Sequence, residues 1–280
     1  MIDKQEVIQL APTAPTSKTP KGNTLKSIWN RSWPYITAIL SLILIWEVAT
    51  LFLPSFVLPQ VNVALAKFFQ NFSDAKYLNG LGTSLMRLAL GYPIACLLGA
   101  LLGLLAGLSR HFAVYLRSLI AILQSIPPIT WVPFLALMLG FGNAPIIIVI
   151  TIASFFPMAL SVMNATEGIN KIHLELGRVL GASKWQLLTK IFAPESLPAV
   201  VTGAQVSFGN AWRSLIAAEM VGGASSGLGW TISYAGETAN MAQVLASIMT
   251  IGGIALILDH IVLERIKHKL LHWRYVSGGE

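Results

Sequence analysis

Six stretches of this chain are apolar for about the length a helix needs to cross a bilayer, and that restricts the fold to a narrow class. They run over residues 35–53, 83–108, 116–139, 145–164, 195–221 and 241–263. The hydrocarbon core is about 30 Å thick and each helical residue rises about 1.5 Å, so about 20 mostly apolar residues span it. Backbone N–H and C=O groups find no water there, and a single crossing segment satisfies them only as a helix. Residues are 55% hydrophobic and 11% charged, whereas a soluble domain is about a quarter charged. The expected fold is an all-α membrane protein of about six transmembrane helices, occupying 31–264. A flexible N-terminal tail is expected over 1–30, where Pro, Ser, Thr and Lys bury too little apolar surface to order themselves, and a second tail over 265–280.

The third run contains Pro127, Pro128 and Pro133. Proline lacks a donor and clashes with the preceding turn, so this span should be kinked or broken. Irregular backbone at membrane depth is tolerated only against protein or a water-filled cavity, which makes the break a candidate pathway feature. Orientation follows from Lys and Arg, which collect in cytoplasmic loops. An inside N-terminus puts Lys4, Lys18, Lys21, Lys26 and Arg31 in the cytoplasm, then Arg110 and Arg117, then Lys171, Arg178, Lys184 and Lys190, then Arg265, Lys267, Lys269 and Arg274. Lys67 and Lys76 alone fall on the other side. Both termini are therefore expected in the cytoplasm of a multi-pass membrane protein.

The formal charge of +7 does not indicate nucleic acid, because the basic residues lie between apolar runs and not on one soluble face. The chain has no phosphate-binding G-x-x-x-x-G-K-[ST], no H-E-x-x-H and no paired C-x-x-C. Its one cysteine, Cys96, sits in an apolar run, and His111, His173, His260, His268 and His272 are scattered at expected membrane borders. No catalytic residue, metal site or cofactor is expected, and the chain does not read as an enzyme. Gly91, Ala95, Gly99, Gly103 and Gly107 recur every fourth residue and should let another helix approach closely.

Glu47, Arg87, Arg213, Glu219 and Asp259 lie in or near apolar runs, where a central charge costs about 2.5–3.5 kcal/mol on insertion scales. They must pair or face water. Arg213 and Glu219 are six residues apart on one helix and do not face each other. Arg213 with Asn210, Ser207 and Gln205 either lines a polar route, its guanidinium offering a forked donor to a passing anion, or belongs to structural ion pairs. Gln124 and Ser125 ahead of the proline break, with Asn210, Arg213 and Glu219, are the candidate pathway residues.

Between the fourth and fifth runs, segment 166–194 is charged and helix-prone. Residues 172–180 suit one short helix, Gly181 suits its left-handed terminus, and Ser183 suits the N-cap of a second helix continuing through Lys184, Trp185 and Gln186. Pro194 and Pro198 mark the return to the membrane. Two helices with a glycine elbow make a knob suited to a groove on a soluble partner.

The spacing of Glu175, Gly181, Ile191 and Pro194 resembles the E-A-A loop of permease subunits of ABC-type importers, with Leu176 and Gly177 where the family carries a small pair and Ala193 where it carries leucine. Thr83-Ser84-Leu85 with Arg87 and Gly91 is similar to the taurine, alkanesulfonate, nitrate and bicarbonate branch of that family. So are 125–133, Ala211-Trp212-Arg213, Ala217-Ala218-Glu219, Gly227-Leu228-Gly229 and Ala235-Gly236-Glu237. The resemblance implies a type I importer permease in the inner membrane, paired as a homodimer, with two cytoplasmic ATPase subunits holding ATP and Mg and an external substrate-binding protein. It assigns coupling to Glu175, Gly181, Ala182, Ser183 and Lys184. Two other functions fit the residues without the resemblance: an ion-coupled secondary transporter using Glu47, Glu219 or Asp259, and a scaffold that recruits a partner through the knob.

Overall fold

The computed structural model describes residues 24–169, 171–222, 224–259 and 265. The expected tails, apart from 24–30 and Arg265, lie outside the described residues, as do His260, His268, His272, Lys267, Lys269 and Arg274. Among the described residues all regular structure is helical. The chain divides into two units, Met1–Phe52 and Leu53–Glu280. The first holds α1 (Thr24–Thr50). Its hydroxyls fold back onto their own helix, Thr37 Oγ1 to the Trp33 and Pro34 carbonyls and Ser41 Oγ to Ala38, at 2.8–3.1 Å. That arrangement satisfies polar groups without water, as lipid requires.

The second unit contains α2 (Val61–Asn71), α3 (Ala75–Ala106), α4 (Arg110–Gln124), α5 (Trp131–Leu139), α6 (Asn143–Glu167), α7 (Lys171–Val179), α8 (Lys184–Leu187), α9 (Ala193–Val221), α10 (Leu228–Glu237) and α11 (Met241–Leu256). Among the described residues, five of the six apolar runs fall mainly on one helix each, and the third is divided between α4 and α5. Three are long and apolar enough to cross a membrane, Ala75–Ala106, Asn143–Glu167 and Met241–Asp259. The pair Arg110–Gln124 and Pro128–Leu139, bent by 72°, is apolar enough together to be a fourth, as a broken span or a re-entrant loop. The bend falls at the predicted prolines: Pro127 is extended (ψ 130°), and Pro128–Thr130 form a single 3-10 turn. α9 has the length of a span, but Gln205, Asn210, Arg213 and Glu219 lower its hydropathy.

α6 is the central helix, with over half of its apolar window buried against 28% for α3. The small-residue stripe makes this packing possible. A Cβ on Gly91 would meet the Ile147 carbonyl at 2.9 Å, one on Gly99 the Met158 Cβ at 2.9 Å, and one on Gly103 the Val162 Cβ at 2.7 Å. α9 packs against α6 in the same way, Gly203 facing Ser161. Ser161 Oγ donates to the Ala199 carbonyl at 3.0 Å and Tyr92 Oη to Ala204 at 2.8 Å, tying α9 to α6 and α3.

Three elements lie outside the sequence expectations. The amphipathic helices α2 and α10 are too short to register as spans. α3 begins eight residues before the apolar run, because Asp74 caps it by accepting from Lys76 N at 2.8 Å. Arg87, expected near the outer end of the span that starts at 83, is therefore well inside α3. Pro194 lies in the first turn of α9, as expected of the start of that helix, but the helical run is continuous from Lys184 to Val221. A π-helical stretch, Leu188–Phe192, precedes Pro194. Its wider turn relaxes the carbonyl ladder where the ring would clash.

Candidate functional site

The knob forms from local rules. α7 ends in a Schellman motif around Gly181, whose φ is +76°. The Ala182 N–H donates to the Gly177 carbonyl at 2.9 Å, and Gly181 N–H to Arg178 at 3.0 Å, which satisfies two carbonyls at the helix end. Ser183 then opens α8 with a full capping box: its hydroxyl accepts from Gln186 N at 3.3 Å, and Gln186 Oε1 accepts from Ser183 N at 2.8 Å. The expected elbow and cap are both present.

Sequence reasoning missed what brings the two helices together. Gly177 lies at the crossing, where a Cβ would touch Leu187 Cδ2 at 2.8 Å and Ile191 Cδ1 at 2.9 Å. Leu187, Leu188 and Phe192 are buried with Ile169, and Leu104, Leu105 and Leu108 at the end of α3 pack on them. His173 Nδ1 and Glu195 Oε1, 2.6 Å apart, add a polar link between α7 and α9. The knob is therefore seated on the ends of α3 and α9.

Its outer face is apolar. Val179 is 84% exposed, Leu180 77% and Trp185 68%, beside exposed Leu176. Glu175, Gly181, Ser183 and Lys184 are exposed around them and Ala182 is half-buried. This patch is compact and rimmed by charge, as interaction surfaces are.

The pathway candidates do not form one group. Arg213 is exposed, and its Nη2 lies 3.4 Å from Asn210 Oδ1 one turn away. The 3-10 turn after the proline break packs against the same part of α9, with Ile129 and Trp131 against the cluster containing Ala211, Trp212 and Leu215. Gln124 and Ser125 are exposed at the end of α4, where Ser125 Oγ donates to the Ala121 carbonyl at 2.8 Å.

Glu219 is elsewhere. Its side chain has no exposed surface and pairs with Arg87, whose side chain is 3% exposed, at 2.7 Å. Ser84 Oγ lies 2.8 and 2.9 Å from the two carboxylate oxygens, and Gly229 N–H donates to Oε2 at 2.9 Å. Arg87 also donates from Nη1 to the Ser226 carbonyl at 2.9 Å and from Nε to Asn143 Oδ1 at 2.8 Å. Gly227 fits because it has no side chain: a Cβ there would lie 2.5 Å from the carboxylate carbon. Two charges that each required a partner thus find one another, and they join α3, α6, α9 and the start of α10. A buried pair is tolerated when further hydrogen bonds satisfy its members, and here Ser84, Gly229, Ser226 and Asn143 supply them. Glu219 is sequestered in this knot, on a different face of α9 from Arg213.

A helical bundle with a proline-bent helix pair, and an elbowed helix pair seated at one end, is the architecture of a multi-pass membrane protein. The chain belongs to the family of binding-protein-dependent transport system inner membrane components, whose family model matches residues 97–270. That match includes the knob, the broken span, Arg213 and Glu219. A putative ABC transporter permease protein of Methanocaldococcus jannaschii is 32% identical over 91% of this chain and 95% of its own length. The taurine transport system permease protein of Escherichia coli is 32% identical over 81% of this chain and 84% of its own length. A nitrate import permease protein of Synechococcus elongatus is 30% identical over 87% and 94%. Among solved structures, a chain of the MetNI methionine ABC transporter in an inward-facing conformation superposes with a TM-score of 0.62 at 21% identity. It covers 69% of this chain and 95% of its own length, and the two share a fold.

Proposed function

We propose that this chain is the permease subunit of an ATP-driven importer of small anions: a sulfonate such as taurine or another alkanesulfonate, or nitrate or bicarbonate. It works as a homodimer with two cytoplasmic ATPase subunits, which hold ATP and Mg, and with an external binding protein that delivers the cargo. The names of the relatives support the cargo class, and the Lys and Arg asymmetry supports a cytoplasmic knob and cytoplasmic termini.

The observation that carries the reading is the knob. Its exposed face of Leu176, Val179, Leu180 and Trp185 offers a soluble partner a surface, and its second helix continues without a break into α9, which bears Arg213. Glu175, Gly181, Ala182, Ser183 and Lys184 hold that face in shape. An ATPase pair that closes on ATP changes the spacing of two such knobs, and the differential stability of the closed pair shifts the permease between its two states. Arg213 and Asn210, with Gln124 and Ser125 near the broken span, meet the anion in passage. Glu219 supports the pathway by fixing the end of α9.

The test is reconstitution of permease, ATPase and binding protein in proteoliposomes with Gly181→Val. A β-branched residue at φ +76° is strained, and it disrupts the elbow without touching a span. ATP-dependent uptake should be lost while membrane insertion is unchanged. Uptake at the parental rate would overturn the coupling role, and uptake that needs no ATPase but collapses with an ionophore would establish a secondary transporter instead.

A further inference from the structure

At the end of α3 opposite the knob, a cavity of about 150 Å³ lies between the ends of α2 and α3, the loop after α9, and α10. A single water needs about 10–15 Å³ on this measure, so a small organic ion has ample room. The residues that line it are distinct from those that form or seat the knob.

Two residues that line it are nearly fully buried and unsatisfied. Asn71 is 2% exposed and Tyr77 6%, and neither Asn71 Nδ2 nor the Tyr77 hydroxyl has a hydrogen-bond partner. A buried donor without an acceptor is costly, and native structures seldom keep one without a reason. Lys76 adds a third donor at the rim, its Nζ 5.6 Å from the ring centroid of Trp230. It is one of only two basic residues that the charge pattern assigns to this side. Asp74 is the one carboxylate in the lining, with Oδ1 engaged by Lys76 N at 2.8 Å. Trp230 and Tyr234, stacked 5.1 Å apart at 12°, form an aromatic wall.

We propose that this cavity binds a small oxyanion head group on a short apolar body, and that it is where the cargo first meets the permease. Two unpartnered buried donors and the Lys76 ammonium line this space, beside the hydroxyls of Ser225, Ser226 and Thr231 and the Gln243 amide, and an oxyanion presents several acceptors to such donors in a small volume. Asp74 offsets Lys76, so the site takes a monoanion or a zwitterion in preference to a dianion. The aromatic wall covers the carbon body. The identity of the ligand as cargo rests on the proposed import function, whereas its chemical class rests on the donors alone.

The test is saturation-transfer difference NMR on the full-length chain in nanodiscs, with methanesulfonate as probe, nitrate as competitor and dimethyl sulfone as the neutral isostere. Methanesulfonate should give a saturable signal that nitrate displaces, and Lys76→Gln should weaken it about tenfold, as expected for loss of one charged hydrogen bond. Tyr77→Phe, which keeps the ring and removes the hydroxyl, should weaken it severalfold. The assignment is overturned if the signal is not saturable, if dimethyl sulfone binds equally, or if both variants bind like the parent. It is also overturned if the signal survives Lys76→Gln but is lost in Arg213→Ala, which would place the ion in the span. No ATPase is present, so failure of ATP-dependent uptake with binding intact would refute the import reading alone.

Discussion

Arg87→Met should destabilise the fold far more than any other single loss of charge in the described spans. It removes the 2.7 Å bond from Nη1 to Glu219, the 2.9 Å bond to the Ser226 carbonyl and the 2.8 Å bond from Nε to Asn143. Glu219 keeps Ser84 and the Gly229 N–H but loses its countercharge, and with no exposed side-chain surface it cannot be hydrated where it stands. Breaking one partner of a buried pair costs about 3–5 kcal/mol, or about two to three and a half orders of magnitude in the unfolding equilibrium. Adding Glu219→Gln should restore much of that loss, because a neutral amide still accepts from Ser84 and Gly229 and carries no charge to strand. The double-mutant cycle should show a coupling of about 2 kcal/mol or more. Steric-trap unfolding of the full chain in lipid bicelles measures each corner of the cycle. A single-variant cost under about 1 kcal/mol, or simple additivity, would refute the view that this pair holds the four elements together.

Gly103→Ala places a methyl 2.7 Å from Val162 Cβ and 2.9 Å from the Ala159 carbonyl, so it should cost about 1–3 kcal/mol as overpacking. Gly252→Ala, with nothing within 4 Å of its Cβ, should be neutral or gain up to about 1 kcal/mol from helix propensity; thermal unfolding of the purified chain separates them. Arg213→Ala should lower anion flux in the reconstituted complex without impairing assembly, and flux at the parental rate would remove Arg213 from the pathway.

Features set by neighbours in sequence were legible in advance. The apolar runs located the helices, Pro127 and Pro128 the 72° bend, the glycine at 181 the elbow, and Ser183 the cap. The stripe from Gly91 to Gly107 announced close packing, although not that α6 would be its main partner. The Arg87–Glu219 pair was not legible, because 132 residues separate its members and nothing local to either specifies the other. Gly177 read as a departure from the family pattern, yet it is the contact at which α7 crosses the next helix; only the position of Leu187 and Ile191 reveals that. The cavity near Tyr77 was invisible for the same reason, since α2 and α10 are too short and too amphipathic to stand out between apolar runs. Pro194 does fall in the first turn of α9, but nothing in the sequence announced that a π stretch would join that helix to α8.

That stretch has a mechanical consequence. The helical run from Lys184 to Val221 is continuous, so on the proposed function the knob and the polar half of α9 act as the two ends of one arm, at most about 40 Å from Lys184 to Arg213 at about 1.5 Å per residue. A tilt of about 5° at the knob displaces the far end by about 3–4 Å on that length, comparable to the width of the ion to be passed. Shortening the arm by a flexible insertion, for example glycines placed within 188–192, would dissipate the stroke without altering either end. The stiffness of five residues that touch neither cargo nor ATP would then set how much of each ATPase cycle reaches the pathway.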